Sequence, residues 1–534
     1  MAGTLRRSER RLLALPAALA VIFLLFLVVP LAGMFAQMDG ESIRAVFSQE
    51  SLGTVLRRSV TASLLTTVIS MTLAFILAWC MERTAMPLKK TIRILVELPM
   101  LIPSVSIGMG VVLLCGNSGI LTKLLGLPLG NIYGLPGIVL GSVLYALPVA
   151  FITIDNILKF EDSSPYEAAR VMGLNGWQQF RAITLPYLRK PMIVAAFSIF
   201  TLSFTDYGVP LMVGGKYKTL PVVMYQEVIG QLNFGRGCVY GSMLLIPAVV
   251  AFVVDFLNRN QASHSYVTRP FDLRKKPRRD LPALCCCLVP ALAAMLPILS
   301  FVVLAFVRKY PSDMTLTFAN IVKTMQMGGW KYLGNSVLIA VMAAAIGVVL
   351  AVLAAYYTSR NRGVLSRGLH LICMSMAAIP GVVLGLAYVL CFKQTPLYGT
   401  LAILVIVNVV HFFASPYLMM YTSFSKMNEH LEAVASTLGI GRMRLLWDVM
   451  LPRCRQTVGE MFSYFFVNCM MTISAVSFLA NVRSKPIALM INQFEAQAQM
   501  EYAAVVSLMI LLVNLGIKTL LEYLPERKKE KENA

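Results

Sequence analysis

Charge is what this sequence has least of. Lys, Arg, Asp and Glu together make up 14% of its 534 residues, where a soluble domain carries about 25%. With 57% of positions hydrophobic, the deficit excludes an ordinary soluble enzyme and places the chain in a bilayer. Acidic residues are the scarcer sign, 26 against 47 basic ones, for a net charge of +21. Such an excess could suit a nucleic acid. A domain that binds DNA or RNA, however, gathers its cations with aromatics on one soluble face. Here they fall in short runs between apolar stretches, as membrane topology requires, so no nucleic-acid partner is expected.

Signatures of chemistry are missing too. Of ten cysteines, Cys285, Cys286 and Cys287 are consecutive within an apolar stretch and no pair has zinc-site spacing. They read as small buried hydrophobes. No catalytic or metal-ligating residue stands out. No phosphate loop of the form G-x-x-x-x-G-K-[ST] occurs. Its nearest likeness, Gly214-Gly215-Lys216-Tyr217, lacks the hydroxyl that magnesium needs. ATP hydrolysis is therefore not expected of this chain. The N-terminus lacks the form of a removable signal: Arg6, Arg7, Arg10 and Arg11 precede an apolar run of about 25 residues, too long for a signal core.

What is present is a series of apolar windows of about 20 residues, the length a membrane helix needs. They fall near 12–36, 56–80, 92–115, 131–157, 191–214 and 239–258, then near 281–307, 333–357, 368–392, 397–424, 457–481 and 502–524. The pattern predicts an all-α polytopic membrane protein of about 12 transmembrane helices. With the N-terminus inside, cytoplasmic segments hold 32 Lys and Arg and external loops 14, so both termini are expected in the cytoplasm.

The windows repeat. Ser59-Val60 and Ser336-Val337 each open a long apolar helix, ending at Glu82-Arg83 and Ser359-Arg360. Pro103 in Leu101-Ile102-Pro103 matches Pro380 in Ala378-Ile379-Pro380, and Tyr133-Gly134 matches Tyr398-Gly399. Residues 1–258 and 281–534 are thus two parallel six-span halves, with the pore expected between them. The basic segment 259–280 between them reads as a solvated tether near anionic headgroups.

One cytoplasmic segment in each half is unusual. It reads Glu167-Ala168-Ala169-Arg170-Val171-Met172-Gly173, then Ile183-Thr184-Leu185-Pro186. In the second half it reads Glu432-Ala433-Val434-Ala435-Ser436-Thr437-Leu438-Gly439, then Val449-Met450-Leu451-Pro452. Ser164, Pro165 and Glu167 have the form of a capping box. Ala168 and Ala169 favour helix, and Gly173 can end it in the left-handed region. Aligned on the glycines, Ala433 stands where Glu167 does, so the two copies are expected to act unequally.

These paired loops are where the chain resembles the permeases of type I ABC importers, whose hallmark is a cytoplasmic EAA loop with a Gly and a trailing Leu-Pro. The resemblance covers nearly the whole chain. It implies that Glu167, Ala168, Ala169, Gly173, Leu185 and Pro186, with Glu432, Ala433, Ala435, Gly439, Leu451 and Pro452, couple the chain to an ATPase. It further implies two copies of an ABC ATPase that use ATP and magnesium, no cofactor on this chain, a separate solute-binding protein, and a bacterial inner membrane. Fused permeases of this kind resemble those for ferric iron, thiamine and 2-aminoethylphosphonate, with polyamine permeases as relatives. An ion-gradient-driven secondary transporter is the alternative, but nothing in that class requires paired EAA loops.

Asp206 sits in an otherwise uncharged span beside Tyr207, and intramembrane acids face a pore or cavity. Gly208 and Pro210 disfavour a regular helix there. Both Asp206 and Tyr207 are therefore expected on the translocation route. Asp155 and Asp255 read as interfacial, and His411 as a packing or hydrogen-bonding imidazole.

Overall fold

A hydrocarbon core offers no water to backbone amides, so a chain this apolar must satisfy them within each segment, as helix. The computed structural model describes residues 16–126, 132–259, 269 and 271–533. Arg6, Arg7, Arg10, Arg11 and most of the tether before Arg269 lie outside the described residues. The first half runs α1 (Pro16–Ala36), α2 (Ser51–Arg83), α3 (Lys89–Glu97), α4 (Ser104–Cys115) and α5 (Leu135–Lys159). It continues with α6 (Ser164–Val171), α7 (Leu185–Thr205), α8 (Gly208–Val213), α9 (Leu220–Tyr225) and α10 (Phe234–Arg259). The second half runs α11 (Pro277–Phe306), α12 (Trp330–Arg360), α13 (Val364–Ser375), α14 (Gly381–Phe392) and α15 (Leu401–Phe412). Then follow α16 (Ala414–Ser425), α17 (Leu431–Thr437), α18 (Arg455–Met471), α19 (Ala488–Ala496) and α20 (Met500–Asn533). A hairpin of β1 (Val307–Lys309) and β2 (Asp313–Leu316), not anticipated from the sequence, joins α11 to α12.

Among the described residues nine helices are long and apolar enough to cross a membrane, or eleven if each bent pair counts as one span. The remaining expected span coincides with α18, a helix of 17 residues. The third apolar window of each half is not one helix. A 3-10 turn and a proline divide it, Pro103 before α4 and Pro380 before α14, and the second break bends the chain by 108°. Proline brings no amide hydrogen and forces the residue before it out of the helical region. Ile102 (ψ 151°) and Ile379 (ψ 111°) are accordingly extended.

The duplication is visible in single hydrogen bonds. Ser59 Oγ accepts from the Leu220 amide at the start of α9 (2.7 Å), and Ser336 Oγ accepts from the Ile487 amide just before α19 (2.8 Å). The halves also exchange their first helices. Phe23 of α1 packs on Phe413, 4.8 Å between ring centroids. Pro30 cannot supply the amide that the Phe26 carbonyl would meet one turn on. Tyr388 of the other half donates its hydroxyl to that carbonyl instead, at 2.6 Å. In return, Ala283, Cys287 and Ala291 of α11 sit in a core otherwise built from the first half. The α20 helix adds Asn514 on the Leu101 carbonyl (3.0 Å), left free by the break before Pro103, and Lys518 on Glu97 (3.0 Å).

Candidate functional site

The EAA segments form two short helices, α6 and α17, at one end of the molecule. Each closes with the same six-residue turn. Gly173 (φ 77°) and Gly439 (φ 71°) are left-handed. The Leu174 amide donates to the Ala169 carbonyl (3.0 Å), and Ile440 to Ala435 (2.8 Å). This motif satisfies the last helical carbonyls and fixes the exit direction. Beyond it, Phe180–Thr184 and Leu446–Met450 are π-helical turns placed directly before Leu185-Pro186 and Leu451-Pro452. The proline ring has no room for the carbonyl four residues back, and in both loops the preceding turn spans five residues, which relieves that crowding. That is the physical content of the trailing Leu-Pro.

The expected capping box is not formed. No side chain caps α6 from Ser163 or Ser164, and Glu167 does not reach back. Asp162 does the work two residues before Ser164, its Oδ1 accepting from the Ser164 amide (3.1 Å) and hydroxyl (2.9 Å). Asn428 repeats this in the second half, accepting from the His430 amide at 2.9 Å. Glu167, Ala168 and Ala433 are exposed, whereas Ala169 and Ala435 are buried beneath the helices. Leu185, Pro186 and Pro452 are exposed and Leu451 is half-buried. Around the glycines lies an apolar surface: Val171, Met172 and Trp177 on one loop, Leu438 and Trp447 on the other.

Two arginines that sequence reasoning noted only as repeat markers anchor these loops. Arg360, at the end of α12, pairs with Glu432 (3.1 Å) and donates to the Phe424 carbonyl (3.0 Å). Arg83, at the end of α2, pairs instead with Glu161, which also bonds the Tyr166 hydroxyl; Tyr166 meets Thr184 at 2.6 Å. Burial pushes the Glu161 carboxyl above its ordinary value, opposed by the Tyr166 hydroxyl and Arg83. Aligned on the glycines, Glu432 occupies the place of Tyr166. It is an internal anchor, then, and not a displaced counterpart of Glu167.

Between the halves lies a cavity of about 430 Å³ that both line. Asp206 ends α7 at its rim. Its Oδ1 accepts from Ser104 Oγ (2.7 Å) and the Gly208 amide (3.3 Å), and Oδ2 from the Val209 amide (3.0 Å). It thus stitches the start of α8 to α4 and lines the cavity as well. Tyr207 stacks on Tyr225, centroids 5.1 Å apart. His411 lines the same cavity as Asp206, which the sequence did not suggest. Asp255 lines it too, while Asp155 is buried against Arg93 at 2.7 Å. In the second half the corresponding close approach is reversed in chemistry. A Cβ on Gly208 would collide with the Ser104 hydroxyl, and one on Gly381 with the Ser474 hydroxyl. A larger cavity of about 960 Å³ adjoins the first, sharing Tyr145, Ser198, Ser415 and Tyr464. It reaches Gln456 and Glu460 in the first turns of α18, toward the EAA end. Among the described residues no three His, Cys, Asp or Glu side chains are grouped as metal ligands.

A duplicated bundle with a cavity between its halves and an exposed short helix on each defines a membrane transport subunit. The chain belongs to the family of binding-protein-dependent transport system inner membrane components, matching it twice, over residues 70–264 and 347–530. It is similar to the ferric transport system permease protein FbpB of Actinobacillus pleuropneumoniae, 26% identical over 88% of this chain and 72% of that one. A putative ferric permease of Haemophilus influenzae is 24% identical over 90% of this chain and 79% of its own. The thiamine permease ThiP of Escherichia coli is 23% identical over 90% and 91%. The protein is the multi-pass permease subunit of an ABC importer, and the ion-gradient-driven alternative has no support among these matches. Members of the family work with ATPase and solute-binding partners.

Proposed function

We propose that one copy of this chain forms the whole translocation path of a ferric-iron importer, with two ABC ATPase subunits and a solute-binding protein. ATP and magnesium act on the ATPase, not here. The observation that carries the reading is the wall of the cavity. Its charged lining residues are Asp206 and Asp255, surrounded by hydroxyl and amide oxygens of Ser104, Thr205, Thr472 and Asn468. Hard cations take oxygen ligands, whereas a tetrahedral oxyanion would face two carboxylates there. The likeness to ferric permeases over most of the chain points the same way. The excess of Lys and Arg on one side of the predicted topology supports a bacterial inner membrane orientation with both termini and both EAA loops in the cytoplasm. The exposed Val171, Met172, Trp177, Leu438 and Trp447 form apolar faces of the kind a docked partner covers. The test is uptake by liposomes holding this chain and its ATPase, supplied with loaded binding protein. ATP-dependent entry of ferric iron is expected; entry of thiamine, molybdate or sulfate in its place would overturn the cargo.

In this reading α6 and α17 pass ATPase motion to the two halves. Neither glycine has a neighbour within 4 Å of a built Cβ, so a substitution there meets only backbone strain. A β-branched residue at such φ values costs roughly 1–2 kcal/mol or re-aims the exit turn. Gly173→Val and Gly439→Val are therefore each expected to lower cargo-stimulated ATP hydrolysis several-fold, and by similar factors. The inequality anticipated between the loops rests on Glu167 against Ala433 and on the different anchors. Wild-type stimulation in Gly173→Val would remove α6 from the coupling path.

A further inference from the structure

The tether between the halves is largely exposed where it is described, yet two of its residues are held against the first EAA helix. The Arg269 amide donates to Asp162 Oδ1 (3.1 Å), the carboxylate that caps α6, and its carbonyl accepts from the Ser163 amide (3.0 Å). Two residues on, the Phe271 ring lies under the Arg83 guanidinium, 3.5 Å from its centroid, and meets Tyr166 edge to face at 5.1 Å. Farther along, Asp280 accepts from the Ala85 amide, in the turn after α2, at 3.3 Å. The tether thus touches three of the groups that anchor the first EAA helix: its cap, its buried tyrosine and the arginine beneath it. The second EAA helix is held differently. Arg360 reaches its own half's carbonyls and Glu432, and no aromatic ring is recorded over its guanidinium among the described residues.

We propose that Arg269 and Phe271 clamp α6: these two residues of the segment joining the halves position the first coupling helix, and Phe271 is the principal positioning residue. A cation held over an aromatic face and shielded from water is attracted to it. With Phe271 in place, Arg83 stays over the base of the loop, where it holds Glu161 and, through it, Tyr166. Without the ring, water reaches the guanidinium and the Glu161 pair loses its cover. The role in coupling rests on the reading of α6 given above; the mechanical role does not.

The experiment separates the two. Hydrogen exchange on the full chain in detergent is compared for wild type, Phe271→Ala and Phe271→Tyr. Amides of Ser164–Val171 are expected to exchange at least ten-fold faster in Phe271→Ala, those of Leu431–Thr437 to keep their rate, and Phe271→Tyr to behave as wild type. Unchanged protection of α6, or equal loosening of both helices, overturns the clamp. The same variants are then assembled with the ATPase in liposomes. Several-fold loss of cargo-stimulated hydrolysis in Phe271→Ala, with recovery in Phe271→Tyr, is the expected result. Faster exchange with wild-type hydrolysis would keep the clamp and discard its role in coupling.

Discussion

Asp206→Asn is expected to lower ATP-driven cargo uptake at least ten-fold while leaving the assembled complex intact. The carboxylate has two tasks, and the amide separates them. Its oxygen can still accept from the Val209 amide, and its nitrogen can donate to the Ser104 hydroxyl, so the start of α8 remains joined to α4. Of the two carboxylates on the cavity wall, only Asp255 is left. A hydrogen bond to a charged group contributes roughly 1.5–3 kcal/mol, and each 1.4 kcal/mol is about a factor of ten. Asp206→Ala removes both tasks, and losing a helix cap costs about a further 1 kcal/mol. It should lose uptake and also melt at lower temperature in detergent. Uptake at the wild-type rate by the Asn variant, measured in liposomes, would reduce Asp206 to a cap.

The second large effect is expected at Arg360. Arg360→Met should abolish measurable cargo-stimulated ATP hydrolysis and loosen α17. The side chain of Arg360 is 8% exposed and that of Glu432 18%. Removing the cation leaves Glu432 poorly hydrated and unpaired, at a cost on the order of 3 kcal/mol. It also strips a donor from the Phe424 carbonyl at the end of α16. Glu432→Leu should be milder, because Arg360 keeps its carbonyl partners. The double variant Arg360→Met/Glu432→Leu should recover part of the loss, since an apolar pair in place of a shielded ion pair is often neutral. A double variant no better than Arg360→Met alone would mean that the arginine acts mainly through the carbonyls.

Much of this was legible in the chain itself. The duplication, the two EAA loops and the irregular backbone after Asp206 follow from spacing, from glycine and from proline, all of which act locally. The helix breaks before Pro103 and Pro380 were less legible. Hydropathy counts apolar residues and carries no record of chain direction, so a bent pair reads as one window. The anchoring of the loops was illegible for a different reason. Arg360 and Glu432 are 72 positions apart, and nothing in either neighbourhood marks them as partners. The exposed, basic character of the tether was legible, but not the seat of Phe271 against Arg83, because composition describes an average and not the place of one ring. The π-turns are the intermediate case: Leu-Pro was in view in both copies, but Pro148 and Pro247 lie within α-helices that keep their ordinary turns, so the proline alone does not announce the widening.

The reversed pair at the cavity carries a historical consequence. Ser104 faces Gly208 in one half, and Gly381 faces Ser474 in the other, at corresponding places. A side chain on either glycine would run into the opposite hydroxyl. Two serines facing each other are therefore disfavoured: a hydroxyl must turn away in either half, and beside Gly208 the Val105 amide nitrogen, 2.8 Å from a built Cβ, must shift as well. If the halves descend from one duplicated ancestor, single replacements through the doubly substituted form would have met that clash, and the route through a glycine facing a glycine would not. Relatives that branched near the duplication should retain that arrangement in at least one half.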